Sequence, residues 1–225
     1  MKRGNHTLFI VEIIVAVVII FSVIFFVNYK SPEIRRLADI EVKDYNGEDL
    51  SSIMDFMENS IKGPQHINIS NYKLEVTGLV DNPKSYTYDE VIKKKNYEKV
   101  VTLNCVEGWD VKILWKGILV KDLIEEAKPK SNATTVIFYA YDGYSTAFPL
   151  DYIKDNNIIL AYEMNNVTLP AERGFPFHLV AESKWGYKWI KWVTKIELSD
   201  DENYKGYWES RGYAKEGNLN ESFVA

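Results

Sequence analysis

Between Tyr72 and Leu198 no single hydrophobic period is held for long, and this limits the folds open to the chain. Residues 72–77 (YKLEVT) alternate apolar and polar side chains as a half-buried strand does. Residues 100–105, 158–163 and 177–181 predict further short strands, and residues 188–198 predict a closing one. Asp142-Gly143 separates residues 134–141 from 144–150 and predicts a hairpin, because this pair readily takes the positive φ angles of a tight turn. Asn82-Pro83 and Asn165-Asn166 mark other turns. Helical spacing is confined to residues 88–95 and 119–127, the latter stopped by Pro129. Many short strands with a few short helices predict an α+β domain of mixed β-sheets.

The ends of the chain read differently. Residues 8–27 are apolar apart from Glu12 and Ser22. As a helix this run would span about 30 Å, the thickness of a bilayer core, and it predicts a retained N-terminal anchor over residues 1–30. Residues 26–30 (FVNYK) offer no small-residue cleavage site, which argues against a removable leader. A single-pass protein of the cell membrane is therefore expected. Lys2 and Arg3 precede the run while Lys30, Arg35 and Arg36 follow it, so flanking charge does not fix the orientation. Asn-x-Ser/Thr sequons at Asn68, Asn132, Asn166 and Asn220 favour an outward-facing domain. Residues 31–64 are charged and weakly periodic and read as a juxtamembrane arm, with a turn at Asn46-Gly47, a short helix near residues 50–57 and a stop at Gly63-Pro64. The globular domain is expected over residues 65–215, and residues 216–225 as a tail.

A formal charge of −5 argues against a nucleic-acid partner. The 6 Trp, 15 Tyr and 10 Phe predict an aromatic-lined core or cleft. The one cysteine, Cys105, excludes an internal disulfide, an iron–sulfur cluster bound by this chain and a Cys-x-x-Cys-His haem site. A lone cysteine is often a small buried hydrophobe. Zinc lacks a ligand cluster here, since His6, His66 and His178 are scattered. A thiolate to a softer metal that brings its own further ligands stays open, because such a metal asks one sulfur of the protein. Downstream, Arg173, His178, Lys184, Lys188 and Lys191 are interleaved with Gly174, Gly186, Phe175, Tyr187, Trp189 and Trp192. Glycine lets backbone N–H groups approach a phosphate, and Arg or Lys neutralises it. By composition alone the same stretch could be a solvated strand face.

Order and spacing carry more. LNCVEGW, the run YEMNNVTLPAERGFPFHLVAESKWGYKWIKWVTKIEL and GYWESRGY together resemble the molybdenum-cofactor domain of the sulfite oxidase family, over about residues 65–215. That family includes sulfite oxidases, nitrate reductases and a bacterial subunit reducing protein methionine sulfoxide. The resemblance implies a molybdenum–molybdopterin cofactor with Cys105 as the protein's thiolate ligand to the metal. It implies Lys191 at the pterin phosphate, with Trp189 and Ile190 lending backbone in the same stretch. Arg173 and His178 fall where the family has His (or Asn) and Arg, so the two stand exchanged. Tyr213 and Arg211 match an Arg-x-Tyr near the open face of the metal, which implies hydrogen bonding or proton relay for Tyr213 and anion attraction for Arg211. Cys105 is followed by Val106-Glu107-Gly108-Trp109, as in stand-alone prokaryotic members, and not by the basic stretch of sulfite oxidases. The implied activity is two-electron oxygen-atom transfer on a small substrate of the sulfite or sulfoxide class. Electrons would pass through a separate carrier, a cytochrome or a quinone-linked membrane subunit. Two other readings remain: a cofactor-free, membrane-tethered binding module that keeps the fold, and a thiol hydrolase using Cys105 with His178.

Overall fold

The computed structural model describes residues 30–225 together with Glu12, Ile14, Val15 and Val17. Most of residues 8–27, and with them the expected anchor, lie outside this set. Among the described residues no helix is long and apolar enough to cross a membrane.

Two five-stranded sheets share one continuous apolar core. The first is antiparallel throughout. It contains β5 (Tyr97–Asn104), β6 (Asp110–Leu119), β9 (Ile159–Met164), β10 (Val167–Thr168) and β11 (His178–Val180), with β9 pairing β6, β10 and β11. The second runs β4-β3-β12-β7-β8, from β3 (Leu74–Gly78), β4 (Lys84–Tyr86), β7 (Thr135–Ala140), β8 (Ser145–Pro149) and β12 (Val193–Ser199). Only β3 and β12 pair in parallel there, so that sheet is mixed. A small hairpin, β1 (Asp44–Tyr45) with β2 (Glu48–Asp49), turns at Asn46-Gly47, both at positive φ (53° and 84°).

Short helices fill the flanks. α2 (Tyr88–Ile92) starts on a reciprocal cap, Thr87 bonding the Glu90 backbone while the Glu90 carboxylate accepts from the Thr87 N–H at 2.7 Å. α3 (Val120–Ala127) buries Val120, Leu123, Ile124 and Ala127 and ends on Lys128 at φ 58°. α4 (Leu150–Asp155) buries Leu150 and Ile153.

Three expectations are corrected. The helix near residues 50–57 is absent, and the helix of that region is α1 (Pro32–Ala38), capped by Ser31. Ile53 and Phe56 have helical spacing, yet both are buried from an irregular stretch docked on β6, with the Ser51 N–H on Lys112 O at 2.8 Å. The closing strand begins only at Val193, because residues 186–188 form a 3₁₀ turn and Trp192 sits at φ 55°. β6 has no counterpart among the expected strands. Beyond Lys112 it is largely buried on both faces and so lacks the alternation that reveals a strand.

Residues 31–62 join the core. Ile34, Leu37, Ile53 and Phe56 are all buried. Asn165, fully buried at the β9–β10 turn, ties them down: its amide nitrogen donates to Glu41 Oε2 and Ser51 O, each at 2.9 Å, and its oxygen accepts the Leu114 N–H at 3.1 Å. Both amide donors and the oxygen are thus used, which explains why an Asn occupies that turn. Residues 216–225 are also engaged, with Val224 bridged to Tyr213 and Asn218 to Lys184.

Candidate active site

A cavity of about 380 Å³ opens where the end of β5, the turn at residues 171–174, the stretch 186–192 and the leading segment 56–61 converge. That is a common size for a small-ligand site.

Cys105 follows β5 directly and is buried. Its N–H donates to Trp109 O at 2.9 Å, and Gly108, at φ 85°, returns an N–H to Cys105 O at 3.1 Å, closing the turn into β6. Gly186 lies against this turn. A Cβ there would crowd Asn104 O at 3.2 Å and Cys105 Cα at 3.4 Å, so glycine gives the 186–188 turn its close approach to the cysteine. Two polar groups face the sulfur, Asn59 Nδ2 at 3.5 Å and Glu107 Oε2 at 3.9 Å. Burial pushes the thiol pKa up, and the Glu107 charge adds to this. A thiol so placed is no ready nucleophile, whereas a bound metal cation would deprotonate it outright.

The turn 171–173 ends on Gly174 at φ 101°, where a Cβ would press on Lys191 Cβ at 3.1 Å and His178 Cβ at 3.2 Å. Glycine at this point lets His178 and Lys191 share one wall. His178 donates from Nδ1 to the Arg173 carbonyl at 2.8 Å, the proton assigned from the acceptor. Burial lowers its pKa to about 3, so the imidazole is neutral. Its Nε2 is buried without a hydrogen-bond partner. Trp115 and Trp189 hold the ring edge-on, at centroid distances of 5.0 and 6.2 Å.

The buried Lys191 ammonium faces Glu58 Oε1 at 3.3 Å and Glu172 O at 3.5 Å, and burial lowers its pKa. Arg173 spends Nε and Nη2 on the carbonyls of Ile53 and Phe56, at 3.3 and 3.4 Å, leaving Nη1 toward Glu58 at 3.8 Å. Burial lowers its pKa to about 10. Trp189 fixes its indole by donating to Lys184 O at 3.0 Å, and the Ile190 carbonyl accepts the Leu179 N–H at 2.9 Å. The Tyr213 ring packs between Tyr187 and Trp208, both at 5.0 Å.

The cavity therefore brings together Cys105, Arg173, His178, Trp189, Ile190, Lys191 and Tyr213. Arg211 is not among the lining residues: it is exposed, bonds Tyr207 O at 2.6 Å and lies 3.6 Å over the Tyr207 ring. Sequence reasoning passed over Phe56, Glu58 and Asn59, because residues 31–64 read as an arm outside the domain. It also gave no role to Glu107, although the two-residue spacing from Cys105 was a usable signal. Among the described residues no three His, Cys, Asp or Glu side chains converge to hold a metal ion. A metal beside Cys105 would find too few protein ligands to hold it and would need others from its own cofactor.

Residues 61–208 match the family described as oxidoreductase molybdopterin binding domain. The chain belongs to this family. It is 34% identical over 155 residues to the uncharacterized oxidoreductase YuiH of Bacillus subtilis, covering 68% of this chain and 78% of that one. It is 29% identical over 163 residues to the protein-methionine-sulfoxide reductase catalytic subunit MsrP of Campylobacter jejuni, and spans 54% of that relative's length. The sulfane dehydrogenase SoxCD of Paracoccus pantotrophus shares the fold, with a TM-score of 0.61 at 21% identity over 68% of this chain and 43% of that one. The residues present suit the family's cofactor: an unpartnered imidazole nitrogen and two cations, Arg173 and Lys191, face the cavity, beside two glycines where a Cβ would crowd its neighbours.

Proposed function

We propose that this chain is the catalytic domain of a molybdenum-cofactor oxidoreductase whose substrate is an uncharged sulfur compound, a sulfoxide in preference to sulfite. The observation that carries the reading is the charge around Cys105. The groups beside the sulfur are Asn59 and the Glu107 carboxylate, and the cavity cations, Arg173 and Lys191, pair with Glu58. Asp142 and Glu172 add two more carboxylates to the lining. An anionic substrate would meet like charge at the sulfur, whereas a neutral sulfoxide would not. Phe56, Trp109, Tyr207 and Trp208 offer an aromatic wall for the apolar group that carries it. The name of the Campylobacter relative agrees with a sulfoxide.

In this reading Cys105 holds the metal through its thiolate. Lys191 and the free edge of Arg173 neutralise the phosphate, and His178 Nε2 accepts a hydrogen bond from the pterin. Trp189 and Ile190 fix the backbone of that wall. Tyr213 donates a hydrogen bond to the substrate oxygen or relays a proton to it. The bound cofactor supplies the two-electron exchange of an oxygen atom. Arg211 acts only through Tyr207, which it covers. Electrons come from a separate carrier, a cytochrome or quinone-linked membrane subunit, as the words "catalytic subunit" in the relative's name suggest. The apolar run at residues 8–27 supports tethering to the cell membrane, and the sequons at Asn68, Asn132, Asn166 and Asn220 support a domain facing outward.

Arg173 gives the alternative its one support, because two of its five N–H donors serve the protein's own carbonyls. In that case the chain is a tethered binding module without cofactor. Elemental analysis separates the two: about one molybdenum per chain is expected, and none overturns the proposal. Turnover with an artificial electron donor should be found with methionine sulfoxide and not with sulfite. The reverse preference would refute the substrate assignment.

A further inference from the structure

Glu58 does nothing for oxygen transfer, yet it is the carboxylate that both cavity cations face. Its Oε1 lies 3.3 Å from Lys191 Nζ and its Oε2 lies 3.8 Å from Arg173 Nη1. Lys30 stands close by, donating to Phe56 O at 2.7 Å, and its charge acts on both Arg173 and Glu58. Glu58 is thus the one carboxylate that acts on all three cations, beside Asp55 for Lys30, Glu172 for Arg173 and Asp142 for Lys191. The partners differ in freedom: the side chains of Arg173 and Lys191 are 4% and 14% exposed, that of Glu58 33%.

The segment bearing Glu58 has little backbone tethering. It lies outside helix and strand, and no N–H from residue 56 to 62 donates to another backbone group among the described residues. Phe56 anchors one end under the Arg173 guanidinium, at 4.8 Å, and Asn59 touches Cys105. The carboxylate can therefore leave while Phe56 stays seated. A second observation points to a ligand at this wall: His178 Nε2, buried and unpartnered, faces the same cavity.

We propose that Glu58 is an internal competing anion: it neutralises Lys191 and Arg173 until an anionic group of the cofactor displaces it, and so sets how tightly the cradle holds phosphate. This rests on the reading that the cavity takes a pterin phosphate. A displaceable carboxylate built in between two cations keeps stray anions out and lets in a ligand that brings further contacts of its own. The segment that carries Glu58 would then move aside during loading.

The test uses the full chain made in a host that cannot synthesise the pterin, titrated calorimetrically with inorganic pyrophosphate. E58Q should bind at least about tenfold more tightly than wild type, and K191Q at least about tenfold more weakly. Backbone amides of residues 57–62 should exchange hydrogen faster in wild type once pyrophosphate is added. If E58Q binds no more tightly while K191Q is weakened, the cradle stands and the role of Glu58 is overturned. If K191Q binds as wild type does, the anion sits elsewhere and the inference fails as well. Molybdenum content of chain made in a competent host decides the parent reading separately. Its absence would sink the oxidoreductase and leave a tenfold E58Q effect to stand as anion competition.

Discussion

Cys105 and His178 are both buried, and they answer to different measurements. Replacing the sulfur by a hydroxyl changes little packing, at a cost of about 1 kcal/mol. Cys105→Ser should therefore keep a cooperative melt and lose turnover of methionine sulfoxide with an artificial electron donor. Wild-type-like turnover by that variant would refute the ligand assignment. For His178 the relevant variable is pH. Its folded pKa of about 3 lies below the value of about 6.5 for an exposed histidine. Between these values the unfolded chain binds a proton that the folded chain refuses, so stability rises with pH across this window and is lost on acidification. The slope for this one group is at most about 1.4 kcal/mol per pH unit. Melting temperatures between pH 4 and 7 should fall with acid more steeply for wild type than for His178→Asn, and parallel curves would remove the burial argument.

At the scale of elements, glycine at one position decides whether two strands can pair. A Cβ on Gly117 would stand 2.1 Å from Leu160 O, at the bulge where β6 meets β9. Gly117→Val should cost at least about 3 kcal/mol, seen as a lower urea midpoint, because the carbonyl it strikes belongs to a buried strand. An unchanged midpoint would mean that the pairing can slide. Elements whose signal is local were legible in the sequence: the short helix beginning at Tyr88, the stripe on α3, and the turns at Asn46-Gly47, Asp142-Gly143 and Asn165-Asn166. Those fixed by tertiary contact were not. β6 hid because it is buried on both sides, and the stretch at 188–192 read as strand although its alternating aromatics serve the cavity wall. The helix near 50–57 failed because Ile53 and Phe56 are buried by tertiary contact: both carbonyls accept from Arg173, and both side chains join the shared core. Of the candidate site, Cys105, the 173–178 motif, residues 189–191 and Tyr213 were visible as an ordered set. Asn59 and Glu58 were not, since nothing local links them to a cysteine and a lysine far along the chain.

For the molecule as a whole, the leading segment is part of the globule. Ile34, Leu37, Ile53 and Phe56 are buried in the shared core, and each contributes about 1.5–3 kcal/mol of burial. Their sum rivals the net stability of an ordinary domain, about 5–15 kcal/mol. A chain starting at residue 65 should therefore lack a cooperative melt, while one starting at residue 30 should retain it; circular dichroism on the two decides the point. A sharp transition in the shorter chain would reduce residues 31–64 to an accessory.

The bonds from Arg173 to Ile53 and Phe56 join residues 120 and 117 positions apart. During synthesis, the wall built from residues 53–61 emerges early and must wait for the guanidinium that receives it. A ribosome stalled before residue 173 would display strands and helices, but no finished chamber.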